Sequence, residues 1–150
     1  MRVVMGSDHA GFNLKKELTE FIISQGHEVI DVGTDSTDPV DYPDIAEALG
    51  KELLENRGDR GIFICGSGIG ASIAANKIPG LRAGLCHDTY SAHQCVEHDN
   101  VNVLVLGARV IGVELAKEIT KAFLLAKYTA EERHQRRLKK LSDLERKYAR

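Results

Sequence analysis

Five short apolar runs punctuate this chain: Val3-Val4-Met5, Val29-Ile30-Asp31-Val32, Ile62-Phe63-Ile64, Leu81-Arg82-Ala83-Gly84-Leu85 and Val103-Leu104-Val105-Leu106. Most stop at glycine or a polar turn, and runs of this length rich in β-branched residues read as buried strands. Helical spacing fills the intervals. Leu14, Leu18, Phe21 and Ile22 recur at helix period, as do Ile45, Leu49, Glu52 and Leu53, and later Val113, Ile119, Ala122 and Phe123. Regular alternation of strand and helix predicts an α/β fold, a parallel sheet covered on both faces, with ligands bound beyond the carboxyl ends of its strands. At 150 residues, without internal repeats or a low-complexity tract, the chain reads as one domain, 1–150.

The third run carries the chemistry. Gly61-Ile62-Phe63-Ile64-Cys65 is a strand that ends in a thiol, and Gly66-Ser67-Gly68-Ile69-Gly70 follows before the Ala-rich helix pattern Ala71–Lys77. Glycines at 66, 68 and 70 free the backbone to aim its N–H groups at one point, and the helix start adds the positive end of a dipole. Such a nest stabilises an anion, and a thiol beside it is placed to act as nucleophile or proton-abstracting base. Burial alone could also account for Cys65, because free cysteine packs like a small hydrophobe. The loop is neither a Walker phosphate loop nor GxGxxG, since Gly70 comes one residue too early, which counts against a nucleotide-binding module.

Charge narrows the partners. Twenty Lys and Arg against 22 Asp and Glu give a formal charge of -2, and the pI is near 6.3. That balance offers no general attraction to nucleic acid or anionic membrane, so small molecules are the expected ligands. No apolar run is long enough to span a bilayer, the amino terminus leads straight into a strand, and Cys65, Cys86 and Cys95 form no CxxC pair. A cytoplasmic protein with reduced thiols is expected.

Other polar residues stand at the same edge. Asp8-His9, in Gly6-Ser7-Asp8-His9-Ala10-Gly11, follows the first strand, although Asp8 could simply cap a helix. Arg109 follows the last strand. His98, between Glu97 and Asp99, suits proton exchange near neutral pH. With His87 and His93 it invites a metal site, but the spacing fits no ligand framework, and neither metal nor cofactor is expected. Asp38–Asp44 reads as a surface connection, and His27 as a surface residue before the second strand. In the final twenty residues Leu138, Leu141, Leu144 and Tyr148 form one stripe, and Arg133 and Arg137 lie a turn apart on another face, with His134 as their flank. The stripe needs a surface to cover, on its own subunit or a neighbour, which makes a homodimer plausible. Arg109, Arg133 and Arg137 with His9 could converge on one phosphate, for which a guanidinium fork is well shaped, although helix arginines are commonly just solvated.

In this order the motifs Gly6–Gly11, Asp41-Tyr42-Pro43, Ile64–Gly70, Ile73–Lys77, Glu97-His98 and Arg133–Arg137 resemble type B ribose-5-phosphate isomerase, over nearly the whole chain. The wider family includes galactose-6-phosphate isomerase subunits and allose-6-phosphate isomerases. The resemblance implies a Rossmann-like three-layer sandwich and a metal-free aldose–ketose isomerase. It also implies a homodimer or dimer of dimers, each site completed by a partner subunit that the C-terminal helix reaches. By resemblance Cys65 is the base that moves a proton between C1 and C2 through a cis-enediolate, and Ser67 assists transfer between O1 and O2. The amides from Gly66 through Gly68 and Ile69 to Gly70 hold the oxyanion. His98 with Asp8 opens the sugar ring, and His9, Arg109, Arg133 and Arg137 grip the phosphate.

Where some members carry a glutamate base this chain has Ala71, which leaves Cys65 as the candidate. Ser67 stands for the commoner threonine. Asp99 stands where asparagine is usual, and an ionised carboxylate accepts hydrogen bonds but cannot donate them. Asn100 could take over, Asp99 could bind a sugar hydroxyl, or the substrate could be another sugar phosphate: allose 6-phosphate, galactose 6-phosphate or a tetrose phosphate. Glu131-Glu132 replaces a frequent glycine pair. A non-catalytic sugar-phosphate sensor is the rival from another class, and the retained Cys65, Ser67 and His98 argue against it.

Overall fold

The computed structural model describes residues 1–149. Strands β1 (Arg2–Ser7), β2 (Glu28–Asp31), β3 (Arg60–Cys65), β4 (Ala83–Leu85) and β5 (Val103–Gly107) alternate with helices α1 (Phe12–Ser24), α2 (Tyr42–Leu54), α3 (Ile69–Asn76), α4 (Thr89–Asp99) and α5 (Val113–Leu125). A last helix, α6 (Glu132–Tyr148), follows. The strands form one sheet in the order β2-β1-β3-β5-β4, and every neighbouring pair is parallel. This is the α/β three-layer sandwich that the alternation predicts, and all five expected strands are present.

Side-chain alternation along the strands splits the core in two. Val3, Met5, Ile62, Ile64, Leu104 and Leu106 face Leu18 and Ile22 of α1, Val96 of α4, and Ile119 and Phe123 of α5. Val4, Phe63, Cys65, Val103 and Val105 face Ile45 and Leu49 of α2 and Ala71 and Ala75 of α3. Cys65 therefore belongs to the α2/α3 layer by register. Burying both faces explains why the strand runs are apolar throughout instead of alternating with polar residues.

Strand order decides where a ligand can sit. The chain turns one way from β1 to β2 and the other way from β3 onward, so β1 and β3 flank the switch point, with their carboxyl ends side by side. Ser7 pairs with Ile64, and Cys65 pairs with Gly107. The loops after β1, β3 and β5 thus meet at one edge.

Two features depart from the sequence reading. Helix α4 was not apparent: its buried stripe is only Ala92, Cys95 and Val96 amid polar residues, and its start is set by Asp88, whose side chain accepts from Ser91 N–H at 2.6 Å. His134, expected as a flank of the arginine pair, is instead buried. The stripe of α6 stays largely uncovered within the chain, with Leu141 49%, Leu144 53% and Tyr148 71% exposed. No helix among the described residues is long and apolar enough to cross a membrane.

Candidate active site

A cavity of about 350 Å³ opens at the switch point, lined by Asp8, His9 and Ala10 from the loop after β1, Tyr42 from α2, Cys65, Gly66, Ser67 and Gly70 from the loop after β3, and Arg109 and Val110 after β5. Three backbone bonds stitch these loops together: Asp8 N–H to Ile64 O at 3.1 Å, Ala108 N–H to Cys65 O at 2.8 Å, and Arg109 N–H to Gly66 O at 2.9 Å. Close approach requires small residues. A Cβ on Gly11 would lie 2.5 Å from Ile64 O, and one on Gly107 2.5 Å from Ser67 O.

The thiol lies against the glycine loop. Gly68 N–H donates to Cys65 Sγ at 3.1 Å, a bond that strengthens when sulfur carries charge. Gly68 adopts a left-handed conformation, φ +83°, which aims its amide back at the thiol and opens α3. The first N–H groups of α3 lack intrahelical acceptors and add positive potential there. Ser67 is exposed, and its Oγ accepts from Ile69 N–H at 3.2 Å. The Ile69 side chain is 53% exposed and lies outside the cavity lining.

Around the thiol the polar groups are oriented. Asp8 is buried, and its Oδ1 accepts from Gly11 N–H at 3.1 Å. His9 Nδ1 accepts from Val40 N–H at 3.2 Å, so a neutral His9 carries its proton on Nε2. The Arg109 guanidinium lies over Gly66, 3.3 Å from where a Cβ would stand.

The remaining predicted residues lie elsewhere in the same chain. His98, Asp99 and Asn100 are at the carboxyl end of α4, and Arg133 and Arg137 are on α6; none lines the cavity. His98 stacks on His134, ring centroids 4.3 Å apart. Asp99 is exposed. Asn100 caps α4 with φ 48°, and its carbonyl accepts from Arg82 Nε at 2.8 Å. Arg133 Nε pairs with Glu131 at 3.1 Å. The other two histidines weighed for a metal are engaged separately: His93 with Glu97 at 3.1 Å, and His87 Nε2 accepting from Gly107 N–H at 2.9 Å.

Sequence reasoning missed two contributors. Tyr42 covers the nest: a Cβ on Gly70 would lie 2.7 Å from its ring. The motif Asp41-Tyr42-Pro43 stands out in the sequence, but lying in a turn-rich stretch it carries no site role there. His87, weighed in the sequence only for a metal, instead accepts from Gly107 N–H at the end of β5. A larger groove of about 720 Å³, mainly apolar, runs between α2 and α3 past Leu54, Ile73 and Ile78. It shares Tyr42 with the smaller cavity, and among the described residues its lining holds no thiol, histidine or arginine, so the smaller cavity is the candidate site.

A strand-end thiol bonded to a backbone amide, an oriented carboxylate and imidazole, and a guanidinium gather around one small cavity of this α/β fold, the equipment of a candidate site for proton transfer on a small anionic substrate. The chain matches the Ribose/Galactose Isomerase family over residues 3–141. It is 44% identical to ribose-5-phosphate isomerase B of Escherichia coli (strain K12), over 96% of each chain. It is also 44% identical to the D-erythrulose-4-phosphate isomerase of Pectobacterium atrosepticum, over 85% of each. Its fold matches the structure of Clostridium thermocellum ribose-5-phosphate isomerase B with a TM-score of 0.96 at 44% identity, covering 99% of this chain and 100% of the other. The chain belongs to the ribose/galactose isomerase family and is a sugar phosphate isomerase, of the aldose–ketose class.

Proposed function

We propose that this enzyme interconverts ribose 5-phosphate and ribulose 5-phosphate, with Cys65 as the base. The observation that carries the reading is the Cys65 thiol, held by Gly68 N–H at 3.1 Å in a cavity with Asp8, His9, Ser67 and Arg109. The Cys65 thiolate takes the proton from C2 of the open-chain aldose. The C2–H electron pair becomes the C1=C2 bond, O1 gains the charge, and the nest amides stabilise this enediolate more than the neutral ground state. Ser67 Oγ relays a proton from O2 to O1, and the Cys65 thiol returns its proton to C1. No step is assigned to a metal or organic cofactor. Arg109 and His9 bind the phosphate, which fixes C1 and C2 over the sulfur.

His98, Asp99, Asn100, Arg133 and Arg137 enter this scheme from a second copy of the chain, as a homodimer or dimer of dimers with shared sites. The exposed stripe of α6 supports that arrangement. His98 opens the furanose ring, Arg133 and Arg137 complete the phosphate grip, and Asp99 and Asn100 contact the sugar hydroxyls.

The deciding assay follows isomerisation and C1 hydrogen exchange in D₂O for wild type and Cys65→Ala, across aldose phosphates of four, five and six carbons. Loss of a positioned base removes about 10²–10⁴-fold of the rate, while binding of a non-isomerisable sugar-alcohol phosphate is retained. Equal loss of binding and turnover would sink the base assignment. A six- or four-carbon sugar as best substrate would overturn the choice of ribose 5-phosphate.

A further inference from the structure

Two side chains that this scheme leaves idle close on His98. From one turn earlier on α4, the Gln94 amide nitrogen lies 2.9 Å from His98 Nδ1. From α6, the His134 ring stacks on His98 with centroids 4.3 Å apart and planes 27° from parallel. His134 is itself pinned. It is 1% exposed, and its Nδ1 lies 2.7 Å from the Thr129 carbonyl oxygen. A carbonyl only accepts, so His134 Nδ1 carries a hydrogen. Its Nε2 is buried without a partner among the described residues of the chain. A buried polar atom left unsatisfied costs on the order of 1–3 kcal/mol, and an apolar ring of that shape would avoid the cost. A ring kept there at that cost, face to face with a proton-exchanging histidine, needs a reason beyond packing.

We propose that Gln94 and His134 are positioning residues for His98. Gln94 occupies Nδ1, His134 sets the ring plane, and Nε2 is thereby left as the nitrogen that meets the sugar. This rests on the reading of His98 as the ring-opening group. A glutamine suits the task because its terminal amide serves both charge states. Its NH₂ donates to a bare Nδ1, and after rotation about the last side-chain bond its oxygen accepts from Nδ1–H. In ring opening the imidazolium gives its Nε2 proton to the ring oxygen, the C1–ring-oxygen bond breaks, and the anomeric hydroxyl passes its proton to the Asp8 carboxylate as C1 becomes a carbonyl. Throughout, Nδ1–H stays bonded to Gln94, so the imidazole leaves the step neutral and in one tautomer.

The test separates ring opening from proton transfer. Ribulose 5-phosphate has its terminal hydroxyl esterified and cannot close a furanose ring, so hydrogen exchange at its C1 in D₂O needs Cys65 but not His98. Gln94→Leu and His134→Ala are expected to lower ribose 5-phosphate turnover on the order of 10-fold, as loss of an orienting partner commonly does, and to leave the exchange rate within about twofold. Gln94→Glu, which still accepts from Nδ1–H, and His134→Phe, which still stacks, recover most of the loss. Wild-type turnover in both Gln94→Leu and His134→Ala, or equal loss of turnover and exchange, overturns the proposal. If His134→Ala does not fold, the Gln94 variants decide alone. A His98→Ala enzyme that turns over ribose 5-phosphate normally overturns instead the ring-opening reading beneath it.

Discussion

Gly11 offers a stringent test of how the site is held. It sits between β1 and α1 with φ -92° and ψ -3°, a conformation open to any residue, so Gly11→Ala introduces steric conflict without backbone strain. The new Cβ would stand 2.5 Å from Ile64 O and 2.8 Å from Ile64 C, both backbone atoms of the central strand. Ordinary contact begins at 3.4 Å, so the loop carrying Asp8 and His9 must retreat by about 0.9 Å, on the scale at which misplacement costs ~10²-fold in rate. That retreat stretches the 3.1 Å bond from Asp8 N–H to Ile64 O past useful length. Overpacking costs about 1–3 kcal/mol and the lost buried bond about 1 kcal/mol. The lower entropy of the unfolded alanine chain offsets about 0.4–1 kcal/mol. A net loss of about 2–3 kcal/mol is expected in urea denaturation, with kcat/KM reduced on the order of 100-fold. Gly112→Ala is the matched control, since a Cβ there meets nothing within 4 Å; its stability should stay within about 1 kcal/mol and its activity unchanged. A Gly11→Ala enzyme with wild-type rate and urea midpoint would refute the claim that this loop is pinned against β3.

Lys15 is 1% exposed and donates to Asp31 Oδ1 and Thr34 O, each at 2.6 Å; Lys15→Met strands the Thr34 carbonyl, while the half-exposed Asp31 keeps water and the Gly33 N–H, and should cost about 2 kcal/mol in urea unfolding, whereas an unchanged midpoint would show the lysine's bonds to be energetically idle. Glu131 holds Arg133 at 3.1 Å with both side chains 54% exposed, so Glu131→Gln should free the guanidinium for phosphate and lower KM by about two- to fivefold at low salt, vanishing at high salt; a raised KM would count against Arg133 as a phosphate ligand. Backbone and then hydroxyl bonds from Ser91 hold the Asp88 carboxyl below its ordinary range. Its contribution is therefore full above the ordinary carboxylate range and lost as pH falls through its folded value. The stability gap between wild type and Asp88→Ala should be wider at neutral pH than at strongly acidic pH, and a gap independent of pH would contradict the cap.

What could be read along the chain was what neighbours in sequence decide. Strands announce themselves through β-branched runs such as Ile62-Phe63-Ile64, and a glycine loop after Cys65 is free to turn an amide back onto the thiol. These are short-range effects of backbone freedom and hydrophobic period, so the α/β class and the thiol in its nest were legible. Helix α4 was not, because Ala92, Cys95 and Val96 bury too little apolar surface to stand out from polar neighbours. Nor was the burial of Lys15, whose acceptors lie 16 and 19 residues away, or of His134 against His98. The sequence by itself determined which residues could do chemistry. Only the tertiary structure decided which of them meet: the order β2-β1-β3-β5-β4 sets Ser7 beside Ile64 and Cys65 beside Gly107, gathering Asp8, His9, Cys65 and Arg109 while leaving His98, Arg133 and Arg137 on α4 and α6. Strand neighbours are chosen by how crossover helices bury both faces of the sheet, a property of the whole chain that no local run of residues encodes.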